Sequence, residues 1–221
     1  MGTMTEIGIS GYLATPAVRG PWPAVIVIQE WWGLDAQTKS IADRFAGLGY
    51  LAFAPDLFHG ELAKLGDHET AMGLTHKYGP GAEAELEHVY DALKSYADCN
   101  GKIGTVGFCF GGRMSLVLGI KRPLDALCTF YGGGMQEVFD RLGGLKSPVL
   151  GLYGDQDRSI PAGTIDELKK ILDKLGVDHE VVIYPNAGHA FMRDADPTTY
   201  RPDAAKDAWE RAKKFLEKHL R

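Results

Sequence analysis

The sequence predicts an α/β protein with a mostly parallel central sheet and helices on both faces. Short apolar runs alternate with helical patterns from one end of the 221-residue chain to the other, which is typical of consecutive β-α-β units. One run, Ala24-Val25-Ile26-Val27-Ile28, contains no polar residue, as expected of a strand buried on both sides. Because no repeat, linker or low-complexity tract interrupts the pattern, we expect residues 1–221 to form one domain.

The individual elements follow from apolar spacing and from glycine or proline at their ends. Predicted strands, in chain order, are 24–28, 50–54, 102–106, 124–131, 148–153 and 180–184, with 7–13 as a possible antiparallel edge strand. One predicted helix ends at Gly49. The other helices are predicted over residues 69–77, 83–97, 113–118, 165–175 and 202–220.

Composition excludes several classes of function. The net charge of −5 and the lack of a basic stripe argue against a nucleic-acid partner. No apolar run is long enough to span a bilayer, so no membrane association is expected, and residues 1–10 lack the features of a signal peptide. The three cysteines, Cys99, Cys109 and Cys128, have no metal-binding spacing. We therefore expect a cytoplasmic protein with free thiols.

A strand–turn–helix sequence in the middle of the chain carries the strongest functional signal. Gly107-Phe108-Cys109-Phe110-Gly111 has the pattern of the G-x-S-x-G nucleophile elbow, with cysteine in place of serine. Such a turn needs glycine where a side chain would collide, and the helix that follows favours an anion, such as a thiolate, at its N-terminus. A cysteine beside a glycine-rich turn is also often only a small buried apolar residue, so its partners decide the interpretation.

Two further polar side chains directly follow predicted strands, where the active sites of open parallel sheets lie. They are Asp157 in Gly154-Asp155-Gln156-Asp157 and His189 in Gly188-His189-Ala190-Phe191. The chain order of nucleophile, acid and histidine is that of the α/β-hydrolase fold, which we predict here with a Cys109-His189-Asp157 triad. His189 would accept the thiol proton and Asp157 would orient its ring. Asp155 is a competing candidate for the acid. The alternative to a catalytic role is that the aspartate only forms a turn and that the histidine is only structural.

Glu30 also follows a predicted strand, beside Trp31 and Trp32. In hydrolases of this fold, the loop after this strand supplies one oxyanion-hole N–H and the residue after the nucleophile supplies the other. We therefore predict the backbone amides of Trp31 and Phe110 as the oxyanion hole.

Taken together, these segments resemble the dienelactone hydrolase (carboxymethylenebutenolidase) family over nearly the whole chain. The matching segments are Gln29-Glu30-Trp31-Trp32-Gly33, Ala54-Pro55-Asp56-Leu57, Gly107-Phe108-Cys109-Phe110-Gly111-Gly112, Gly154-Asp155-Gln156-Asp157 and Gly188-His189-Ala190-Phe191. The resemblance implies that Cys109 is the nucleophile and that His189 and Asp157 complete the triad. It also implies that Glu30 interacts with the resting thiol and helps to convert it to the thiolate.

The resemblance further implies that Arg193, four residues after His189, binds a substrate carboxylate; a solvated surface arginine is the alternative. The family's second carboxylate-binding arginine has no counterpart, since no arginine lies between Leu57 and Gly101. A different, less anionic ester or lactone is therefore compatible with this chain. Trp32 and Phe191, together with Trp31 and Phe110, suggest a small apolar substrate pocket, although these rings could also be core.

The predicted activity is cleavage of a lactone or ester C–O bond through a thioester intermediate. This chemistry needs no metal or organic cofactor, and its partner is a small-molecule substrate; the family tendency favours a monomer. Two alternatives remain: a cysteine acyltransferase or peptidase with the same triad, and a non-catalytic redox-responsive thiol protein.

Overall fold

The computed structural model describes residues 1–221 and contains one eight-stranded sheet. The strands are β1 (Thr3–Ile7), β2 (Ile9–Ala14), β3 (Trp22–Ile28), β4 (Leu51–Pro55), β5 (Cys99–Phe108), β6 (Ala126–Phe130), β7 (Val149–Gly154) and β8 (His179–Tyr184). Their order across the sheet is β1-β2-β4-β3-β5-β6-β7-β8, and every pair from β4 to β8 is parallel. The predicted mostly parallel sheet is therefore present.

The N-terminal end of the sheet differs from the sequence prediction. Instead of one edge strand over 7–13, β1 and β2 form an antiparallel hairpin, and β2 also pairs with β4. The strands meet at Gly8, whose φ of 75° is a left-handed conformation that glycine adopts without strain. A single apolar stretch therefore folds back on itself, and β1 rather than β2 is the edge strand.

Five helices cover the sheet: α1 (Ala36–Gly47), α2 (His68–Lys94), α3 (Phe110–Lys121), α4 (Thr164–Leu175) and α5 (Pro202–Leu220). Side chains alternate along β3, so Val25 and Val27 pack on the same side as α1 and α5, whereas Ile26 and Ile28 pack on the opposite side with α2, α3 and α4. A 3-10 helix over Met135–Gly144, which the sequence analysis did not predict, lies on that second side.

Helix α2 is a correction to the prediction of two separate helices. The helix runs 27 residues without a break, with Pro80 inside it. Its buried residues keep one helical stripe on both sides of Pro80, from Ala71 and Leu74 to Ala82 and Leu86. Packing of this stripe against the sheet offsets the cost of an internal proline, about 3 kcal/mol.

The carboxyl ends of the parallel strands meet along one edge of the sheet. Glu30 follows β3, Cys109 follows β5, Tyr131 follows β6, and Asp157 and His189 lie in the loops after β7 and β8. This edge therefore collects the predicted catalytic side chains from four separate loops. None of the helices is both long and apolar enough to cross a membrane.

Candidate active site

Cys109 occupies a strained turn between β5 and α3. Its φ of 53° and ψ of −114° are unusual for a residue with a side chain, and it caps the N-terminus of α3. Glycine is required around it because a Cβ at Gly107 would lie 1.9 Å from the Gly111 carbonyl oxygen, and one at Gly111 would lie 2.3 Å from the Ile28 oxygen. The structure thus has the nucleophile-elbow geometry expected from the sequence pattern.

His189 and Asp157 are brought together at the same edge. The Nδ1 atom of His189 lies 2.8 Å from Oδ2 of Asp157, and the Asp157 carboxylate is buried. Asp155, the competing acid, makes no ion pair with His189, whereas the Ser159 hydroxyl donates to Oδ1 of Asp157 at 2.6 Å. With its Nδ1–H donated to Asp157, the ring leaves Nε2 available for proton transfer.

The surroundings of His189 favour its protonated form. Burial opposes the charged ring, but the Cys109 sulfur and the Asp157 carboxylate outweigh it and raise the pKa of His189 to about 11. Burial also works against the Asp157 carboxylate, yet its hydrogen bonds with His189 and Ser159 lower the pKa of Asp157 below its ordinary value of 3.8. The imidazolium form of His189 is therefore well stabilised beside the Asp157 carboxylate.

A cavity of about 330 Å³ opens beside Cys109 and His189. Its walls come from five loops and two helices, and the lining residues are Trp31, Thr75, Cys109, Phe110, Arg113, Gly133, Gly134, Ser159 and His189. A larger groove of about 440 Å³ runs along β8 and α5, but its charged side chains pair with one another and it contains no such nucleophile. The cavity beside Cys109 is therefore the candidate active site, and its size suits a small molecule.

Glu30 is held away from the cavity by a buried cluster. The Arg193 Nη1 atom donates to Glu30 Oε2 at 2.8 Å, the Tyr131 hydroxyl donates to Oε1 at 3.1 Å, and Arg193 Nη2 donates to Asp35. Burial raises the pKa of Glu30 above its ordinary value of 4.5, although the Arg193 charge opposes the rise. Glu30 makes no hydrogen bond to Cys109 in this arrangement.

Arg193, predicted to bind substrate, is 5% exposed and does not line the cavity. Its guanidinium lies between Glu30 and Asp35, with Cζ 5.9 Å from the Trp32 ring centroid. Two of the predicted aromatic pocket residues also lie elsewhere: Phe191 is fully buried between Tyr131 and Tyr184, and Trp32 is buried in the core beside α2. The other two, Trp31 and Phe110, do line the cavity.

The sequence analysis missed three polar residues of the cavity wall. Thr75 comes from the first half of α2, Ser159 lies two residues after Asp157, and Arg113 lies four residues after Cys109. The spacing of Arg113 was a usable signal, because residues four apart share one face of a helix. Thr75 had no such signal, since only the tertiary fold brings α2 over the cavity.

Comparison with known proteins identifies the family of this chain. The model of the dienelactone hydrolase family matches residues 9–220. The chain belongs to the dienelactone hydrolase family. A Methylorubrum extorquens relative that carries the provisional name carboxymethylenebutenolidase is 34% identical, in an alignment covering 96% of this chain and 77% of the relative. Protein usf of Aquifex pyrophilus is 33% identical over the full length of both chains.

Solved structures place the fold in the same group. A dienelactone hydrolase-like promiscuous phosphotriesterase from metagenomic libraries is similar, with a TM-score of 0.85, 26% identity and coverage of 96% of this chain and 93% of that one. The structure named m3DLH has a TM-score of 0.87 and 26% identity, covering 100% of this chain and 98% of that one. The predicted α/β-hydrolase fold is confirmed, and membership of the family makes this chain a hydrolase of ester or lactone bonds.

Proposed function

We propose that this hydrolase cleaves a carboxylic ester or lactone through a Cys109-His189-Asp157 triad and a thioester on Cys109. The observation that carries the proposal is the 2.8 Å pair between His189 and Asp157 at the mouth of the cavity that Cys109 also lines. Cys109 stands at positive φ on the N-terminus of a helix, a position that presents its sulfur and favours the thiolate. An acid, a histidine and an activated nucleophile in this arrangement support acyl transfer.

In the first half of the reaction, the Cys109 thiolate attacks the carbonyl carbon and a C–S bond forms. The negative charge that develops on the carbonyl oxygen needs fixed hydrogen-bond donors. Phe110 is the first residue of α3, so its N–H has no acceptor within the helix, and the Trp31 N–H donates to no carbonyl in the surrounding loops. These two free amides support their assignment as the oxyanion hole.

The tetrahedral intermediate then collapses, the C–O bond to the alcohol breaks, and His189 gives its Nε2 proton to the departing oxygen. In the second half, water attacks the thioester while His189 accepts the water proton. The C–S bond breaks, the carboxylic acid leaves, and the thiolate–imidazolium pair is restored. Asp157 holds the ring through Nδ1 in both halves.

We propose Glu30 as a proton acceptor or gate for the Cys109 thiol. Glu30 reaches the thiol by leaving its contact with Arg193. Its pKa, which burial raises above the ordinary value of 4.5, supports a carboxyl group that takes up a proton more readily than an exposed glutamate. Arg193, which holds Glu30 in its buried position, then acts on the reaction through Glu30 rather than through the substrate.

The test compares wild type with Cys109→Ala in the hydrolysis of 4-nitrophenyl acetate and of cis- and trans-dienelactone. Cys99→Ala is the matched control, because Cys99 is also a free, partly exposed cysteine but lies at the opposite end of β5. Loss of turnover in Cys109→Ala alone is the expected result. Equal activity of wild type and Cys109→Ala would contradict the proposal.

A further inference from the structure

Helix α2 carries a stripe of residues that runs from the active-site cavity to the surface. Its members, in chain order, are His68, Met72, Thr75 and Gly79. Residues spaced three or four apart lie on one face of a helix. Thr75 lines the cavity, and a Cβ at Gly79 would lie 3.9 Å from the Phe110 ring. The C-terminal end of the stripe therefore faces the cavity.

The N-terminal end of the stripe lies against Trp31. The ring centroids of His68 and Trp31 are 5.4 Å apart in an edge-to-face arrangement, and Trp31 also lines the cavity. Met72 comes between His68 and Thr75 on the stripe, so its side chain lies along Trp31, between the cavity and solvent. We call the space between Trp31 and Met72 the α2 channel.

The surface around the α2 channel is apolar. Met72 is 50% exposed, and the Thr75 hydroxyl is occupied because it donates to the Ala71 carbonyl at 2.9 Å. Leu62 and Leu65 are also exposed, so three of the seven large apolar side chains that the protein exposes lie within residues 62–72. Such a concentration of exposed apolar surface next to a binding cavity indicates a site for an apolar group.

From this arrangement we propose that the acyl part of the substrate carries a neutral alkyl chain, which lies in the α2 channel against Met72. The inference rests on the proposed function of the same cavity. It names the substrate class as esters of medium-chain carboxylic acids. It also makes Met72 a residue that determines specificity for the length of the chain.

The order of the strands decides which half of the ester enters the channel. Trp31 follows β3, on one side of β5. The strands on the other side of β5 are followed by Gly133, Ser159 and His189, and Cys109 lies between the two groups. Because His189 protonates the departing alcohol in the proposed mechanism, the alcohol lies on the β8 side. The acyl chain therefore points toward Trp31 and α2.

The arginine of the cavity wall lies away from the channel. Arg113 Nη1 is 2.5 Å from Oε2 of Glu137, and a Cβ at Gly134, after β6, would lie 2.8 Å from the same nitrogen. The guanidinium is therefore on the β6 side of the cavity. The wall residues on the α2 side, Trp31 and Thr75, are uncharged, as a neutral alkyl chain requires.

The dependence of turnover on chain length tests the channel. We would measure kcat/KM for 4-nitrophenyl butanoate, hexanoate and octanoate in wild type, Met72→Gln, Met72→Leu and Met4→Gln. The octanoate-to-butanoate ratio is taken within each protein, so that differences in the amount of active enzyme cancel. Met72→Leu keeps the site apolar. Met4→Gln is the matched control, because Met4 is also 50% exposed but lies on the edge strand β1.

The size of the effect follows from the water that the chain displaces. A methylene that is fully removed from water strengthens binding about fourfold, and a half-covered one about twofold. We therefore expect octanoate to exceed butanoate by about sixteenfold in wild type, Met72→Leu and Met4→Gln. In Met72→Gln, which presents an amide to the chain, the ratio falls to about fourfold or less. Equal ratios in Met72→Gln and wild type, or no preference for octanoate in wild type, would overturn the proposal.

A reaction that needs no ester hydrolysis separates this inference from the proposed function. Methyl and octyl methanethiosulfonate both form a disulfide with Cys109: the thiolate attacks the sulfenyl sulfur, and methanesulfinate leaves. Mass spectrometry of the peptide that contains Cys109 gives the octyl-to-methyl rate ratio for each variant. A ratio that falls in Met72→Gln alone, without any ester turnover, supports the channel and contradicts only the hydrolase mechanism. Cys109-dependent turnover, with both ratios unchanged in Met72→Gln, overturns only the channel.

Discussion

Replacement of Arg193 by methionine is predicted to destabilise the protein strongly and in a pH-dependent way. The change leaves the Glu30 carboxylate, whose side chain is 7% exposed, with the Tyr131 hydroxyl as its only remaining hydrogen-bond partner. Asp35 loses the same guanidinium but keeps the Thr38 N–H. Removing one partner of a buried ion pair costs about 3–5 kcal/mol, because the other charge stays buried without compensation.

The sign of the pH dependence follows from Glu30. Burial already raises its pKa above 4.5, and loss of the Arg193 charge, which opposes that rise, raises it further. A carboxyl with a raised pKa in the folded protein costs no stability below its unfolded pKa. The cost then grows as pH rises from 4.5 through the folded pKa. The deficit of Arg193→Met relative to wild type is therefore largest above the folded pKa of Glu30 in the variant and shrinks as pH falls below it.

Urea unfolding at pH 8 and pH 5 measures this effect. We expect Arg193→Met to lower the free energy of unfolding by about 3–5 kcal/mol at pH 8 and by less at pH 5. The double variant Arg193→Met/Glu30→Gln should recover part of this loss, because a neutral amide needs no counter-charge. Arg211→Met is the control, because Arg211 pairs with Asp207 and Glu180 on the surface. This substitution should lower the free energy of unfolding by no more than about 1 kcal/mol. A loss below about 1 kcal/mol at pH 8, or one independent of pH, would refute the reasoning.

Three further predictions concern the triad and its turn. Asp157→Asn should lower kcat by about 10³–10⁴-fold because the histidine ring loses its orienting carboxylate; a change below tenfold in steady-state ester hydrolysis would contradict the role of Asp157. Ser159→Ala should lower kcat/KM only about 2–10-fold, the scale of one hydrogen bond to Asp157, and a loss near that of Asp157→Asn would place Ser159 in the chemistry itself. Gly107→Ala should prevent folding, since its Cβ would lie 1.9 Å from a backbone oxygen, whereas Gly143→Ala meets nothing within 4 Å; thermal unfolding with nearly equal midpoints for the two variants would disprove the steric requirement.

Local signals in the sequence predicted several elements closely. Helix α5 begins and ends where its pattern indicates, with proline at the first position and a continuous apolar face. Helix α4 ends before Gly176, which adopts a left-handed φ of 65° as a helix-terminating glycine does. Both features depend on residues near one another in the chain, so a single sequence contains the information.

Features that depend on distant residues were predicted less well. The Arg193 guanidinium is held by Glu30 and Asp35, about 160 positions earlier in the chain, and no local pattern indicates that pairing. The same holds for α2, where contact with the sheet overrides the break that Pro80 suggests. The sequence predicted those site residues that directly follow strands, such as Cys109. The residues that α2 and α3 contribute to the cavity wall could be located only from the fold.

The most direct test of the mechanism is detection of the acyl group on Cys109. Wild type is mixed with 4-nitrophenyl acetate, quenched in acid within the first turnovers, and digested for mass spectrometry, with Cys109→Ala treated in parallel. The mechanism predicts an acetyl group on the peptide that contains Cys109, formed and lost at rates that account for steady-state turnover. Turnover without acylation of Cys109, or persisting in Cys109→Ala, would contradict it.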